Sequence, residues 1–198
     1  MIARITQLQV AGSYQQALQE INNELEELVG MKTDQLMGLS DGFIIELLTV
    51  NEFLDVQRLW YLAELIKAEG DIKTTQGKKA AGLERHLRAL NFLIEVAFAS
   101  GENSQMIDNQ IHTLFNELGQ AIPEETLFNL YDYFDKSGSY KKAVEGLDLM
   151  LQVTHNNPDI ISEKKTYLLH LLEIPEPDLI RGGLNLTEIH RNLRNLKQ

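Results

Sequence analysis

The 198-residue chain is 43% hydrophobic and 24% charged, so it can bury a substantial core and does not have the composition of a disordered protein. It contains no cysteine, which excludes a disulfide framework, a thiol nucleophile and a thiolate metal site. Its net charge of −11 repels a phosphate backbone, so we expect no nucleic-acid partner.

The first predicted element is a hairpin of two helices over residues 2–29. Apolar side chains recur at helical spacing from residue 2, and Gly12 ends this short helix. Ser13 suits the N-cap of a second helix, which Gly30 ends. A link this short forces the two helices to be antiparallel neighbours.

Residues 43–50 are the most ambiguous stretch of the chain. Their β-branched and aromatic composition is compatible with a strand. No partner strand is recognisable elsewhere, so we predict a buried helix. Glu46 interrupts this stretch, which is also far shorter than the roughly 20 apolar residues that span a bilayer, and no membrane segment is predicted.

The second predicted hairpin covers residues 55–98. A long amphipathic helix runs to about Thr75, Gln76 and Gly77 break it, and a return helix follows from residue 78. The last turns of the return helix are apolar nearly all round, so we expect it to be covered on several sides. A further helix is predicted from Gln105 to Leu118, after a polar turn that includes Asn103.

The third predicted hairpin covers residues 123–154. Pro123 and the two glutamates after it suit the first turn of a helix. Gly138 and Ser139 then connect that helix to its partner. Two prolines mark the start of a C-terminal segment, residues 175–198, and its apolar side chains predict that it docks on the rest of the molecule.

Three helix corners share one local pattern of residues. Each begins with a glycine that makes the turn, followed five positions later by a small residue that lets two helices approach. Four positions further along, an apolar side chain is needed to fill the groove between them, and the middle copy departs from this by having His86 there, beside Leu87. These residues are Gly12, Ala17 and Ile21; Gly77, Gly82 and His86; and Gly138, Ala143 and Leu147.

This pattern resembles the tetratricopeptide repeat, a helical hairpin that stacks into solenoids. The third copy matches best, with consensus-like residues at Leu130, Phe134, Gly138, Tyr140, Ala143, Leu147 and Met150. The copies lie 61 to 65 residues apart rather than about 34, so extra helices intervene. The resemblance implies an all-α fold: an irregular tetratricopeptide-like array of antiparallel hairpins, an α–α superhelix, in a single domain over residues 1–198.

Nearly the whole chain is also similar to a bacterial family known only as a domain of unknown function. The similarity is carried by residues 65–97 and by the ending Pro-Asp-Leu-Ile-Arg-Gly-Gly-Leu-Asn-Leu at residues 177–186. It implies a tetratricopeptide-like cytoplasmic protein and no particular activity. The lack of cysteine and of a signal peptide agrees with a reducing cytoplasm.

No recognised catalytic or metal-binding motif occurs in the sequence. The five histidines are widely separated, without a zinc-binding pair, and no phosphate loop or nucleophile elbow is present. Asp132 and Asp135 lie on one predicted helix face and could act as an acid–base pair. The simpler interpretation is that they are solvated residues at the edge of the apolar face of the helix. A cationic face formed by Arg191, Arg194 and Lys197 is explained by the preference of helix C-termini for cations. We therefore predict no enzyme, no cofactor and no metal.

The leading functional hypothesis is a non-enzymatic scaffold or adaptor that binds a protein or peptide, and a homodimer formed through an end hairpin stays open. A groove would take aromatic and polar residues from the first helices of hairpins. The alternative is a regulatory helical module that binds a small ligand or peptide between hairpins. An enzyme would need a cleft in which Asp132 or a histidine has a strongly perturbed pKa and lies beside a second titratable group. The candidate groove residues are Arg58, Trp60, Tyr61, Lys73, Asn129, Tyr131 and Asp132.

Overall fold

A computed structural model describes residues 2–101 and 104–196, so Asn103 of the predicted turn and Lys197 of the predicted cationic face lie outside the described residues. The described residues form twelve α-helices and one pair of two-residue strands, which confirms the prediction of a mainly helical fold. None of these helices is long and apolar enough to cross a membrane. Contacts divide the chain into two compact units, Met1–Leu118 and Gly119–Gln198, and the single domain stays a prediction.

The described part of the first unit contains seven helices and both strands. In chain order they are α1 (Ile2–Val10), α2 (Tyr14–Val29), α3 (Thr33–Leu36), α4 (Asp41–Leu47), β1 (Thr49–Val50), β2 (Phe53–Leu54), α5 (Val56–Thr75), α6 (Lys79–Ser100) and α7 (Gln105–Leu118). The second unit begins with a 3-10 turn, Gly119–Ala121, and continues with α8 (Glu124–Lys136), α9 (Tyr140–Val153), α10 (Pro158–Leu171), α11 (Glu176–Arg181) and α12 (Leu186–Asn195).

The corner between paired helices has the same backbone geometry at three places in the chain. In each, a glycine has a left-handed conformation, and the next residue donates its N–H to the carbonyl oxygen five positions earlier at 2.8 Å. These bonds run from Ser13 to Leu8, from Lys78 to Lys73 and from Ser139 to Phe134. Ser13 and Ser139 occupy the N-cap positions, as predicted, and their hydroxyls make no capping hydrogen bond to a described residue.

The antiparallel helices α5 and α6 approach each other most closely at two glycines. A Cβ atom added to Gly70 would lie 2.4 Å from Cδ2 of His86, and one added to Gly82 would lie 3.0 Å from the carbonyl oxygen of Gly70. The two helices bury a continuous set of apolar side chains between them and their neighbours in the first unit. This set includes Leu59, Leu62, Leu65, Ile66, Ala89, Leu90, Phe92, Leu93 and Val96.

The prediction of a buried helix over residues 43–50 is wrong in two respects. Helix α4 ends at Leu47, and β1 pairs antiparallel with β2, with Val50 opposite Phe53. The segment buries Ile44 and Leu48, partly buries Ile45, and leaves Phe43, Leu47 and Val50 exposed. A two-residue turn, Asn51 and Glu52, joins the strands with φ angles of 52° and 70°. The partner strand is only two residues long, too short for its alternation to be recognised in the sequence.

The C-terminal part of the second unit packs on the corner between α8 and α9. The carbonyl oxygen of Gly182 accepts a hydrogen bond from the N–H of Lys141 at 2.9 Å, and a Cβ atom at Gly182 would lie 2.5 Å from the carbonyl oxygen of Gly138. Leu179, Leu184 and Ile189 are buried. Only a residue without a side chain fits the space of Gly182, and the φ angle of 81° at Gly183 favours glycine there. Residues 197–198 of the predicted docking segment lie outside the described residues.

Replacing Gly70 by alanine tests the close approach of α5 and α6. We expect Gly70→Ala to lower the free energy of unfolding by about 1–3 kcal/mol, because the new methyl group overlaps the His86 ring in a packed interface. Urea denaturation measures this change.

Gly146 in the middle of α9 supplies a matched control, because an added Cβ atom there meets nothing within 4 Å. We expect Gly146→Ala to raise the free energy of unfolding by about 0.5–1 kcal/mol through helix propensity alone. Equal stabilisation by both alanine variants would contradict the close approach at Gly70.

Candidate functional site

Arg58 and Tyr61, two of the candidate groove residues, tie α5 to α2. The guanidinium of Arg58 donates a hydrogen bond to the carbonyl oxygen of Leu28 at the end of α2. The hydroxyl of Tyr61 donates to Oε2 of Glu24 at 2.8 Å. Burial and this contact with Glu24 raise the pKa of Tyr61 well above its ordinary value, so the hydroxyl stays protonated and continues to donate. Both side chains have structural contacts, and a role in binding stays a prediction.

Trp60 lies on the same helix and is partly buried. Its indole Nε1 is buried and has no hydrogen-bond partner among the described residues. Four residues on, Glu64 accepts a hydrogen bond from the side-chain amide nitrogen of Gln110 in α7, whose Oε1 is also buried without a described partner. Burial raises the pKa of Glu64, and the Gln110 hydrogen bond only partly offsets that rise.

Lys73, the last candidate groove residue on α5, belongs to a buried charge cluster. Its Nζ lies 3.3 Å from Oε1 of Glu69, which also accepts a hydrogen bond at 2.8 Å from Nε of Arg85 in α6. Glu69 and Arg85 are 3% and 6% exposed, so each charge depends on the other for compensation. At about 1.5 Å per residue, Arg58 lies roughly 22 Å from Lys73 along α5, so the structure does not bring these two together.

The remaining candidate groove residues lie in the second unit, on α8. Asn129 is exposed, and Asp132 forms an ion pair of 2.7 Å with Lys136 one turn away. The Tyr131 hydroxyl donates to Glu163 at 3.3 Å, and its ring meets that of Tyr167 edge to face, with the centroids 5.0 Å apart. The structure brings these three residues together on one turn of α8, and their use in binding stays a prediction.

The two carboxylates considered as an acid–base pair, Asp132 and Asp135, have different partners in the structure. The hydroxyl of Tyr167 donates to Oδ1 of Asp135 at 2.9 Å, whereas Asp132 pairs with Lys136. Burial and the charge of Asp135 raise the pKa of Tyr167, so this hydroxyl stays protonated. Each carboxylate is therefore held by a structural contact.

The first unit contains a polar cavity of about 500 Å³ that the sequence did not reveal. It lies between the end of α5, the start of α6 and the end of α7. At its wall, Nε2 of His86 donates to Oδ1 of Asp71 at 3.0 Å, and Lys67 lies 3.3 Å from Oδ2 of Asp71. The lining residues are Asp71, Thr74, Thr75, Lys79, Leu83, His86, Glu117 and Leu118.

The His86–Asp71 contact places two titratable side chains together at the cavity wall. Burial opposes ionisation of Asp71, but the hydrogen bond from His86 and the charge of Lys67 outweigh it, so the pKa of Asp71 lies below its ordinary value. Within residues 2–101 and 104–196, no cluster of three metal-ligating side chains occurs. The cavity offers hydroxyl, imidazole, ammonium and carboxylate groups, which suit a small polar ligand.

A second feature of the first unit is an exposed apolar surface on α4, β1 and β2. We define it by Phe43, Leu47, Val50 and Phe53, whose side chains are 50%, 44%, 61% and 79% exposed. Large contiguous apolar patches on protein surfaces mark interaction sites, and these four exposed side chains make this segment the candidate for one.

Helix α6 determines which side of α4 faces outward. Arg88 donates to the carbonyl oxygens of Leu36 and Leu39, at 2.7 Å each, and pairs with Asp41 at 2.9 Å. These contacts fix the start of α4, with Ile44 inward and Phe43 outward. The sequence interpretation missed this surface because it placed residues 43–50 in a buried helix.

No protein-family model, curated protein or solved structure matches this chain. The two resemblances drawn from the sequence therefore stay predictions, and the candidate sites depend on the geometry described above.

Replacing Asp71 by asparagine tests the contact at the cavity wall. Because its pKa is depressed in the folded state, Asp71 stabilises the protein above its unfolded pKa of about 4, and this contribution is lost as the pH falls through the folded pKa. The side chain is 44% exposed and partly screened, so we expect Asp71→Asn to cost about 0.5–1 kcal/mol at pH 7.

Stability measured by urea denaturation from neutral pH down to below the ordinary aspartate pKa checks this expectation. The difference between the wild type and Asp71→Asn should shrink as Asp71 becomes protonated. A difference that is constant across this range would contradict a depressed pKa at Asp71.

Proposed function

We propose that this protein is a non-enzymatic interaction scaffold with tetratricopeptide-like hairpins, and that the segment between its first two hairpins presents a binding surface to another protein. The observation that carries this proposal is the exposed apolar surface formed by Phe43, Leu47, Val50 and Phe53. Three helix corners with one backbone geometry support the repeat-like character of the hairpins. The spacing of these corners makes the array irregular.

The size of the surface supports a modest binding energy. A fully buried side chain of this kind contributes about 1.5–3 kcal/mol, so covering these four partly exposed side chains would contribute roughly 3–7 kcal/mol. Association itself costs about 4–15 kcal/mol in lost translational and rotational freedom. Hydrophobic burial here accordingly suits a reversible complex, in which polar or charged contacts around the surface decide the affinity.

Serine substitutions in the exposed apolar surface test the proposal. We expect Phe43→Ser with Phe53→Ser to weaken capture of a specific partner from lysate of the source cells by about tenfold or more, because both anchors are removed. The melting temperature should barely change, since both rings are already half or more exposed. Quantitative affinity capture with the purified variant as bait measures this.

Ile180→Ser is the matched control, because Ile180 is 60% exposed in the second unit and lies outside the surface. It should retain capture. Undiminished capture by the double serine variant would contradict the proposal. Sedimentation of the purified protein supplies a further outcome: self-association that the double serine variant abolishes would identify the partner as a second copy.

A regulatory module that binds a small ligand is the second candidate function, and the polar cavity favours it. Its volume of about 500 Å³ lies within the usual range for ligand sites, roughly 300–1,000 Å³. Hydroxyl, imidazole and charged groups reach it from three helices. A charged ligand in the cavity would interact directly with the His86–Asp71 pair at its wall.

Filling the cavity tests this second candidate. Native mass spectrometry of the protein purified from its source cells should show an added small mass, which Leu83→Trp removes because the indole occupies the cavity that Leu83 lines. Leu169→Trp, at an exposed position of the second unit, is the control and should retain the added mass. A wild-type protein that carries no added mass would contradict this candidate.

A further inference from the structure

The chain around the exposed apolar surface carries only negative charge. Residues 33–57 include five acidic side chains and no lysine, arginine or histidine. Three of the five are engaged within the first unit: Asp34 lies 3.9 Å from Arg85, Asp41 lies 2.9 Å from Arg88, and Asp55 caps α5 by accepting from the N–H of Arg58. The other two, Glu46 and Glu52, are exposed.

Glu46 and Glu52 are the sequence neighbours of Leu47 and Phe53, two of the side chains that form the surface. Phe43 and Leu47 are one turn apart on α4, and Glu46 precedes Leu47. Glu52 precedes Phe53, which lies opposite Val50 in the strand pair. No ion pair joins either carboxylate to a cation among residues 2–101 and 104–196. The surface is therefore apolar with a negatively charged rim.

Glu52 has a backbone conformation that is unfavourable for a glutamate. Asn51 and Glu52 both have positive φ angles, as the two central residues of a two-residue hairpin turn require. Glycine is favoured at the second of these positions, and a glutamate is uncommon in the left-handed region. Glu52 is exposed and pairs with no described cation, so its carboxylate is available to a cation of a partner.

The charge of the rim discriminates between possible occupants. A second copy of the chain would bring its own Glu46 and Glu52 against the same charges, and anionic lipids or nucleic acids would be repelled in the same way. A strand added to β1 or β2 would gain little, because each strand offers only two residues for backbone pairing. A helix with an apolar stripe and basic flanks satisfies both the apolar and the acidic groups.

We propose that the exposed apolar surface binds a basic amphipathic helix of a partner protein, with the apolar stripe of the helix on Phe43, Leu47, Val50 and Phe53 and its lysine or arginine side chains on Glu46 and Glu52. This inference rests on the proposed scaffold function and specifies the chemistry of the partner. Complementary charge at the rim sets the specificity and the association rate of such a complex.

A pair of designed peptides tests the proposal on the full chain. One peptide contains only leucine and lysine, with the leucines at helical spacing, and the other has glutamate in place of every lysine. Fluorescence anisotropy of labelled peptides at about 0.1 M salt, where long-range charge effects are screened, measures both affinities. We expect binding of the leucine–lysine peptide and none of the leucine–glutamate peptide.

Glutamine variants test whether the peptide binds to Glu46 and Glu52 in particular or is attracted by the overall negative charge of the protein. Glu46→Gln with Glu52→Gln should weaken binding of the leucine–lysine peptide by about fivefold, on the scale of two exposed ion pairs. Glu27→Gln with Glu173→Gln removes the same charge at exposed positions outside the surface and should change the affinity by less than about twofold. Equal losses in both double variants, or equal binding of both peptides, would overturn the proposal.

Glu52→Gly removes the carboxylate while it supplies the residue that the turn favours. We expect its melting temperature to be unchanged or raised, and its affinity for the leucine–lysine peptide to fall about twofold to threefold. Reduced binding together with retained stability would show that the charge, and not the fold, is responsible; unchanged binding would overturn the role of Glu52 in the rim.

The cellular partner distinguishes failure of this inference from failure of the scaffold function. Capture that is lost with the Phe43 and Phe53 serine variants but unchanged with Glu46→Gln and Glu52→Gln would leave the scaffold function standing and overturn the basic helix. Capture that is unchanged in the serine variants would overturn the scaffold function itself.

Discussion

The first unit depends on the close approach of α5 and α6 at Gly70 and Gly82. Without side chains at these positions, the two longest helices of the described chain pack close enough to enclose Glu69, Arg85 and His86 between them. The buried ion pair and the His86–Asp71 contact follow from that approach, because charged groups remain buried only where a partner is fixed beside them. Helix α6 also positions α4, because Arg88 binds the carbonyl oxygens of Leu36 and Leu39 and the carboxylate of Asp41 at the start of α4.

The two candidate sites of the first unit are consequences of the same helix pair. The polar cavity lies where α5 ends and α6 begins, and His86 at its wall is positioned by the absence of a side chain at Gly70. Arg88 and the buried side chains of Ile44 and Leu48 hold α4 in place. The opposite side of α4, with Phe43 and Leu47, therefore faces outward as part of the exposed apolar surface. One surface offers polar groups in a concave space and the other offers apolar groups with an acidic rim, so they suit ligands of different chemistry.

Much of the fold is readable from the sequence, since helical spacing and glycine corners are local signals. The pattern of Gly77 and Gly82 predicts a tight corner followed by close packing, and the contact between Glu69 and Arg85, each eight residues from Gly77, follows from counting outward along two antiparallel helices. The sequence did not reveal the short strands, because two residues cannot show alternation, nor the outward face of α4, because its orientation is set by Arg88 some 40 or more residues later. The cavity was also missed, since the end of α7, which completes it, is distant in sequence from the corner between α5 and α6.

Native-state hydrogen exchange tests most directly the claim that the α5–α6 contact holds the first unit together. If it does, the amides around Gly70 and Gly82 exchange only through global unfolding of this unit and are its slowest, whereas those of residues 49–54 exchange through local opening. Slower exchange in α1 and α2 than in α5 and α6 would contradict the claim, because α1 and α2 would then stay folded after the α5–α6 contact had opened.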